Sequence, residues 1–256
     1  MAHWVLVLAS GAVIAAAEQG PEFNWRGRLD PGQELAVRGV KGEIVVKRSP
    51  GNEARVSAVK RWRRSDPDEV RIEVVPHEKG VTICAVYPAR RGRANECLPG
   101  GEGRMESRDN DVSVDFTVYL PDGIAFAGKT VLGDVIVEDA GGEVKVSTVN
   151  GDVSVSARGP ARAETVNGSL SVALLRADWQ GELKFETVNG SIELRLPEDA
   201  EFELRAETVN GGIESDFPLL VQGRFNPRDV RGVVGRGGRG LHLKTVNGRI
   251  ELRRLR

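Results

Sequence analysis

The sequence predicts an all-β protein: a β-solenoid, β-helix-like stack of strand–Asn-Gly–strand repeats preceded by an N-terminal β region without the repeat. Three observations carry that prediction. The tetrapeptide Thr-Val-Asn-Gly returns five times, in "KVSTVNGDVSV" at 145–155, "RAETVNGSLSV" at 162–172, "KFETVNGSIEL" at 184–194, "RAETVNGGIES" at 205–215 and "HLKTVNGRIEL" at 242–252. A weaker copy, "GKTVLGDVIV", lies at 128–137. Apolar residues alternate with polar ones on both sides of each copy, the period of a strand with one buried face. Composition agrees: 31 Gly, many Val and Thr, and few stretches of helical periodicity.

Residues 1–17 read as a signal peptide. "WVLVLASGAVIAAA" at 4–17 is uncharged, too short to cross a bilayer comfortably, and ends in small residues that place cleavage between Ala17 and Glu18. The leading "MAH" lacks the usual Lys or Arg, and a buried N-terminal strand is the competing reading. No Cys follows the run, so no lipid anchor is expected there. No later apolar run reaches the length of a membrane helix, so the mature chain is expected to have no transmembrane span.

Residues 18–119 form the expected N-terminal β region, with strands near 34–38, 42–48, 54–62, 69–75, 80–87 and 111–120. "GVKGEIVVK" at 39–47 reads as a degenerate version of the repeat corner. Cys84 and Cys97 are close in sequence, and in an oxidising compartment such a pair reads as a disulfide closing the loop between them, worth about 3 kcal/mol by loop entropy. Two cysteines and three histidines do not make a zinc site, and no metal or cofactor is expected. The Gly-, Arg- and acid-rich run at 90–110 reads as a loop.

Residues 120–256 form the repeat region, continuous with what precedes it. Before one corner stand Leu183, Phe185 and Thr187; after it stand Ile192, Leu194 and Leu196. The corner residues are Asn150–Gly151, Asn167–Gly168, Asn189–Gly190, Asn210–Gly211 and Asn247–Gly248. Asn-Gly is a strong turn signal because both residues tolerate positive φ. The repeat threonines at 130, 148, 165, 187, 208 and 245 are spaced by 18, 17, 22, 21 and 37 residues, one solenoid turn each, with the last interval reading as a rung that lost its motif. "LPDGIAF" at 120–126 and "LPEDAEF" at 196–202 mark the opposite corner, where Pro suits a bend. Stacked at the ~4.8 Å strand spacing, about seven rungs make a column on the order of 30 Å. A series of antiparallel hairpins is the competing geometry. The solenoid is preferred because near-identical corners need each rung to copy the last. Residues 223–240 read as an irregular excursion.

Charge narrows the function classes. A net charge of −1 gives no global pull towards nucleic acid or an anionic membrane, and "KRWRR" at 60–64 and "ARRGR" at 89–93 read as solvated edges and loops. No His-rich metal set, nucleophile elbow or phosphate loop is present in the sequence. A glycan-active parallel β-helix enzyme would draw on Asp134, Asp152 and Glu138 with Arg158 or Arg162, though nothing in their spacing separates them from outward strand residues. The sequons at 167–169 and 189–191 are explained by the turn itself. Trp179 is the aromatic expected to be exposed at the variable corner.

The leading "GQELAVRGVKGEIVVKR", the "DVSVDFTVYLPDG" strand and turn, the serial "TVNGDV" corners and the terminal "VGRGGRGLHLKTVNGRIEL" together resemble the bacterial putative-adhesin β-strand-repeat family, also catalogued as a domain of unknown function, DUF4097. The resemblance covers most of residues 27–254, and the cysteine pair resembles only part of the family. It implies a solenoid-like all-β fold and a place outside the cytoplasm, and it brings no catalytic residues. The expectation is a non-enzymatic, exported envelope protein (periplasmic, cell-surface or secreted), a monomer acting as adhesin, scaffold or binding module. Its partner would be an envelope protein or polysaccharide, not nucleic acid. A self-assembling structural β-helix is the alternative.

Overall fold

The computed structural model describes residues 20–89, 94–101, 103–221 and 226–255; the expected signal peptide and its Ala17/Glu18 cleavage point lie outside these. Outside strands, the described residues hold two short 3-10 turns, Pro67–Glu69 and Pro99–Gly101. The N-terminal part contributes β1 (Glu22–Arg28), β2 (Glu34–Arg38), β3 (Ile44–Arg48), β4 (Glu53–Arg61), β5 (Arg71–His77), β6 (Gly80–Val86) and β7 (Ser113–Leu120). Next come β8 (Ala125–Lys129), β9 (Val135–Ala140), β10 (Val144–Ser147), β11 (Val153–Ala157), β12 (Ala161–Glu164), β13 (Leu170–Leu174), β14 (Glu182–Glu186) and β15 (Ile192–Leu196). The chain ends with β16 (Phe202–Glu207), β17 (Ile213–Ser215), β18 (Leu220–Val221), β19 (Asp229–Val234), β20 (Gly240–Lys244) and β21 (Ile250–Arg254).

These strands make two sheets. The first has ten strands in the order β1-β4-β7-β3-β9-β11-β13-β15-β21-β17, and the second has eleven, β18-β19-β16-β20-β14-β12-β10-β8-β2-β6-β5. The two strands flanking each Asn-Gly lie in opposite sheets and do not pair with each other: β10 is in the second, β11 in the first. The hairpin alternative therefore does not describe this molecule. Each rung pairs in parallel with its neighbours, as Val153↔Leu170 and Leu170↔Ile192 show. Alternation does the rest. Val144, Val146, Val153, Val155, Phe185, Ile192 and Leu194 point between the sheets and are almost fully buried.

The rungs do not stack in chain order. The last repeat, β20 and β21, enters between the rung of β14 and β15 and the rung of β16 and β17. The 37-residue interval is thus not a rung without its motif. It contains β19, which pairs antiparallel with β16 from Phe202↔Val234 to Glu207↔Asp229 and occupies that strand's outer edge. Only the inner edge of β16 then remains for the final repeat. Residues 229–234, expected to be irregular, are a strand for this reason. Charge favours the same order: Lys244 faces Glu186 on one side and Glu207 on the other, where direct contact between β14 and β16 would set the two glutamates together.

Antiparallel strands close the column. At the N-terminal end, β4 pairs with β7 and β1 with β4 in one sheet, while β5 pairs with β6 in the other. At the far end Phe217, buried, packs edge-on against Phe202 with ring centroids 5.5 Å apart, and the Arg254 guanidinium lies over the Phe217 ring. No helix among the described residues is long and apolar enough to cross a membrane.

Candidate functional site

One long edge of the molecule is a column of corners. Parallel bridges run Lys41–Leu132–Asn150–Asn167–Asn189–Asn247–Asn210, so the degenerate 39–47 stretch and the "TVLG" copy are rungs of the same stack. Three hydrogen-bond ladders tie the rungs together. Asn167 Nδ2 donates to Asn150 Oδ1, Asn189 to Asn167, Asn247 to Asn189 and Asn210 to Asn247, all at 2.7–2.8 Å. Each repeat threonine, buried, donates Oγ1 to the corner-glycine carbonyl of the adjoining rung, as Thr148 does to Gly133 at 2.9 Å and Thr187 to Gly168 at 2.8 Å. The side chains after Gly133, Gly151, Gly168 and Gly190 accept a backbone N–H from the next rung: Asp152 N donates to Asp134 Oδ1, Ser169 N to Asp152 Oδ1, Ser191 N to Ser169 Oγ and Arg249 N to Ser191 Oγ.

The glycines serve the stacking as well as the bend. None of the five asparagines has positive φ. A Cβ added at Gly168, Gly190 or Gly211 would lie 1.9 Å from the carbonyl oxygen of the glycine in the neighbouring corner. Close approach of one backbone to another therefore reserves the position for glycine.

The residues that an enzyme reading would use are dispersed or already engaged. Asp134 and Asp152 each spend an oxygen on a backbone N–H of the ladder. Arg158 belongs to a surface ion cluster with Asp122 at 2.8 Å and Asp139 at 3.0 Å; Arg48 contacts both carboxylates from the neighbouring rung. The Arg48 hydrogen bond leads the causes holding the Asp122 carboxyl below its ordinary range. Arg162 lies apart from that cluster, on the outer face of the second sheet. Trp179 is buried, 4% exposed, with Nε1 donating to the Gly240 carbonyl, so it is core and not a surface aromatic.

Cys84 and Cys97 are joined, with Cα atoms 5.8 Å apart. The bond holds a flap over the outer face of the second sheet, where Val86 clusters with the two cysteines and Met105 packs against that cluster. Beside the flap is a recess of about 270 Å³ whose lining includes Arg38, Lys129, Lys145 and Arg162. The sequence alone did not bring these four cations together. Their outward placement was readable from alternation, but their proximity depends on register between strands far apart in the chain.

Comparison with known proteins follows the same outline. Residues 129–253 match the family model described as Toastrack DUF4097, a shorter span than the sequence resemblance covers. No curated protein matches the chain. Among solved structures, it is similar to a putative cell adhesion protein from Clostridium sporogenes ATCC 15579, at 11% identity and a TM-score of 0.53 over 91% of this chain and 100% of that one. A putative adhesin from Bacteroides fragilis NCTC 9343 aligns at 11% identity and a TM-score of 0.32, over 90% of this chain and 96% of its own. The first shares the fold. The corner column from Thr130 to Asn247 thus lies within the stretch, residues 129–253, that is similar to the Toastrack DUF4097 family.

Proposed function

We propose that the protein is an exported, non-enzymatic β-solenoid of the cell envelope that presents its outer faces to a polysaccharide or another envelope protein. What carries this reading is the fate of the corner groups. Asparagine amides, threonine hydroxyls and the Asp134 and Asp152 carboxylates are committed to bonds between rungs, so the column acts as a rigid support. The adhesion-related name of the structural relative agrees with such a role. Export is supported by the Cys84–Cys97 disulfide, a bond that persists in oxidising compartments.

Cell fractionation with alkylation of free thiols tests the location: an extracytoplasmic protein with no alkylatable cysteine is expected, and a reduced cytoplasmic one would refute export. Incubation with a panel of acidic and neutral glycans tests the rest. Unchanged oligosaccharides are expected, and turnover that survives repurification would establish an enzyme instead.

A further inference from the structure

The recess beside the disulfide flap has the chemistry of a binding site. Strand register puts Arg38 beside Lys129, and Ala36, Ala127, Lys145 and Arg162 in the adjacent row, all on outward positions of the second sheet. Alanines thus form the floor, low enough for a ligand group to sit between the cations. Gly100 and Gly101 of the flap form a wall, and the Gly100 N–H is anchored to Thr82 Oγ1 at 3.0 Å.

Arg38 makes this more than a charged surface. It is only 8% exposed, its Nη1 donates to the Gly101 carbonyl, and it forms no ion pair with a carboxylate among the described residues. Burying a guanidinium against a neutral acceptor alone is unfavourable, and a positioned anion would relieve it. Burial pulls its pKa below the ordinary arginine value, as expected of a charge that lacks compensation.

Further along the same face Lys184 pairs with Glu186 at 2.6 Å, Arg205 with Glu207 and Arg231 with Asp229, and Lys244 stands in register between Glu186 and Glu207. In the recess, Lys145 pairs with Glu143, while Lys129 and Arg162, like Arg38, are in no ion pair among the described residues. Four cations line it against two carboxylates, Glu34 and Glu164.

We propose that the recess is an oxyanion site that takes a carboxylate, sulfate or phosphate group, with Arg38 and Arg162 as its principal donors and Lys129 and Lys145 closing it. A guanidinium offers paired N–H donors that match a planar or tetrahedral oxyanion, and the ammonium groups add unspecific charge. The disulfide acts as a brace, since it fixes the flap wall against Arg38. The inference is independent of the envelope reading and of export.

Isothermal titration of the full oxidised chain with sodium sulfate, sodium phosphate, oligogalacturonate and its methyl ester tests it. At least one anion is expected to bind saturably, while the neutral ester does not. Equal affinity for inorganic sulfate or phosphate would identify a free-anion site; preference for oligogalacturonate would identify an acidic glycan. Arg162→Gln and Lys129→Gln, both exposed changes, should each weaken binding about tenfold or more. Lys184→Gln and Arg205→Gln, on the same face with their own partners, should leave it within twofold. Absence of anion binding by the unaltered chain, or equal losses in both sets of variants, would overturn the proposal.

Discussion

A methyl group placed at Gly168 would meet the Gly151 carbonyl oxygen at 1.9 Å, whereas one placed at Gly212 would meet nothing within 4 Å. Overpacking of this kind typically costs about 1–3 kcal/mol because backbone, unlike a side chain, cannot turn aside. Gly168→Ala is therefore expected to lower stability by at least about 2 kcal/mol in urea unfolding, and Gly212→Ala to stay within about 0.5 kcal/mol. Similar values for the two would mean that close approach between corners does not reserve the position for glycine. The asparagines make a second comparison. Asn167 both donates to Asn150 and accepts from Asn189, while Asn210, at the end of the row, only donates, to Asn247. At about 0.5–1.5 kcal/mol per bond, Asn167→Ala should lose about twice what Asn210→Ala loses. Equal losses in the same unfolding assay would argue against the ladder as the source of their contribution.

Strands and corners were legible from the sequence because alternation and the repeated tetrapeptide are local signals; rung order was not, because it is a choice between equals. The copies at 205–215 and 242–252 carry the same Thr-Val-Asn-Gly, so either could lie on the copy at 184–194. What decides is β19, whose pairing with β16 has no motif of its own, together with Lys244 lodged between Glu186 and Glu207. The same limit explains the recess: Arg38 and Arg162 are 124 residues apart in sequence, and only the β2–β8–β10–β12 register assembles them. Trp179 was misread because its neighbours in "RADWQGE" are polar, while its indole turns inward to Gly240. Intercalation has a measurable consequence. Terminal elements ordinarily fray, with low protection from hydrogen exchange. Here the amides of Leu241 and Leu243, near the end of the chain, bond inside the stack and should exchange as slowly as that of Phe185 in β14. Those of Leu220 and Val221 should exchange far sooner. Rapid exchange throughout 240–254 would show that the last repeat is not held between its neighbours.

A stack of parallel rungs raises the question of why one molecule does not continue into the next. Each sheet of a solenoid offers backbone donors and acceptors at both ends, and an exposed, long, flat edge invites another strand. The four edges here are each unsuited to that. At the C-terminal end, β17 has three residues and β18 two, too short to template a partner. The edge strand β5 carries Pro76, which lacks a donor, and β1 is a charged antiparallel strand with Arg26 and Arg28 along its length. Antiparallel edges also do not match the parallel pairing that the internal rungs use, so a second molecule could not simply extend the column. Phe217 and Arg254 cover the core at the far end. The oxidised chain is therefore expected to sediment as a monomer, with a coefficient that does not rise with protein concentration. A rise would restore the self-assembling alternative, and the edge responsible would be β17: its outer backbone groups are the one place where another Thr-Val-Asn-Gly corner, stacked on Asn210, could repeat the internal bonding. In that case Val209, the most exposed of the corner valines at 56%, should become protected on assembly, and Val209→Lys should return the protein to the monomer. If instead assembly occurred without protection at Val209, the column would be joining by its faces, and the blunted edges would have no part in its state.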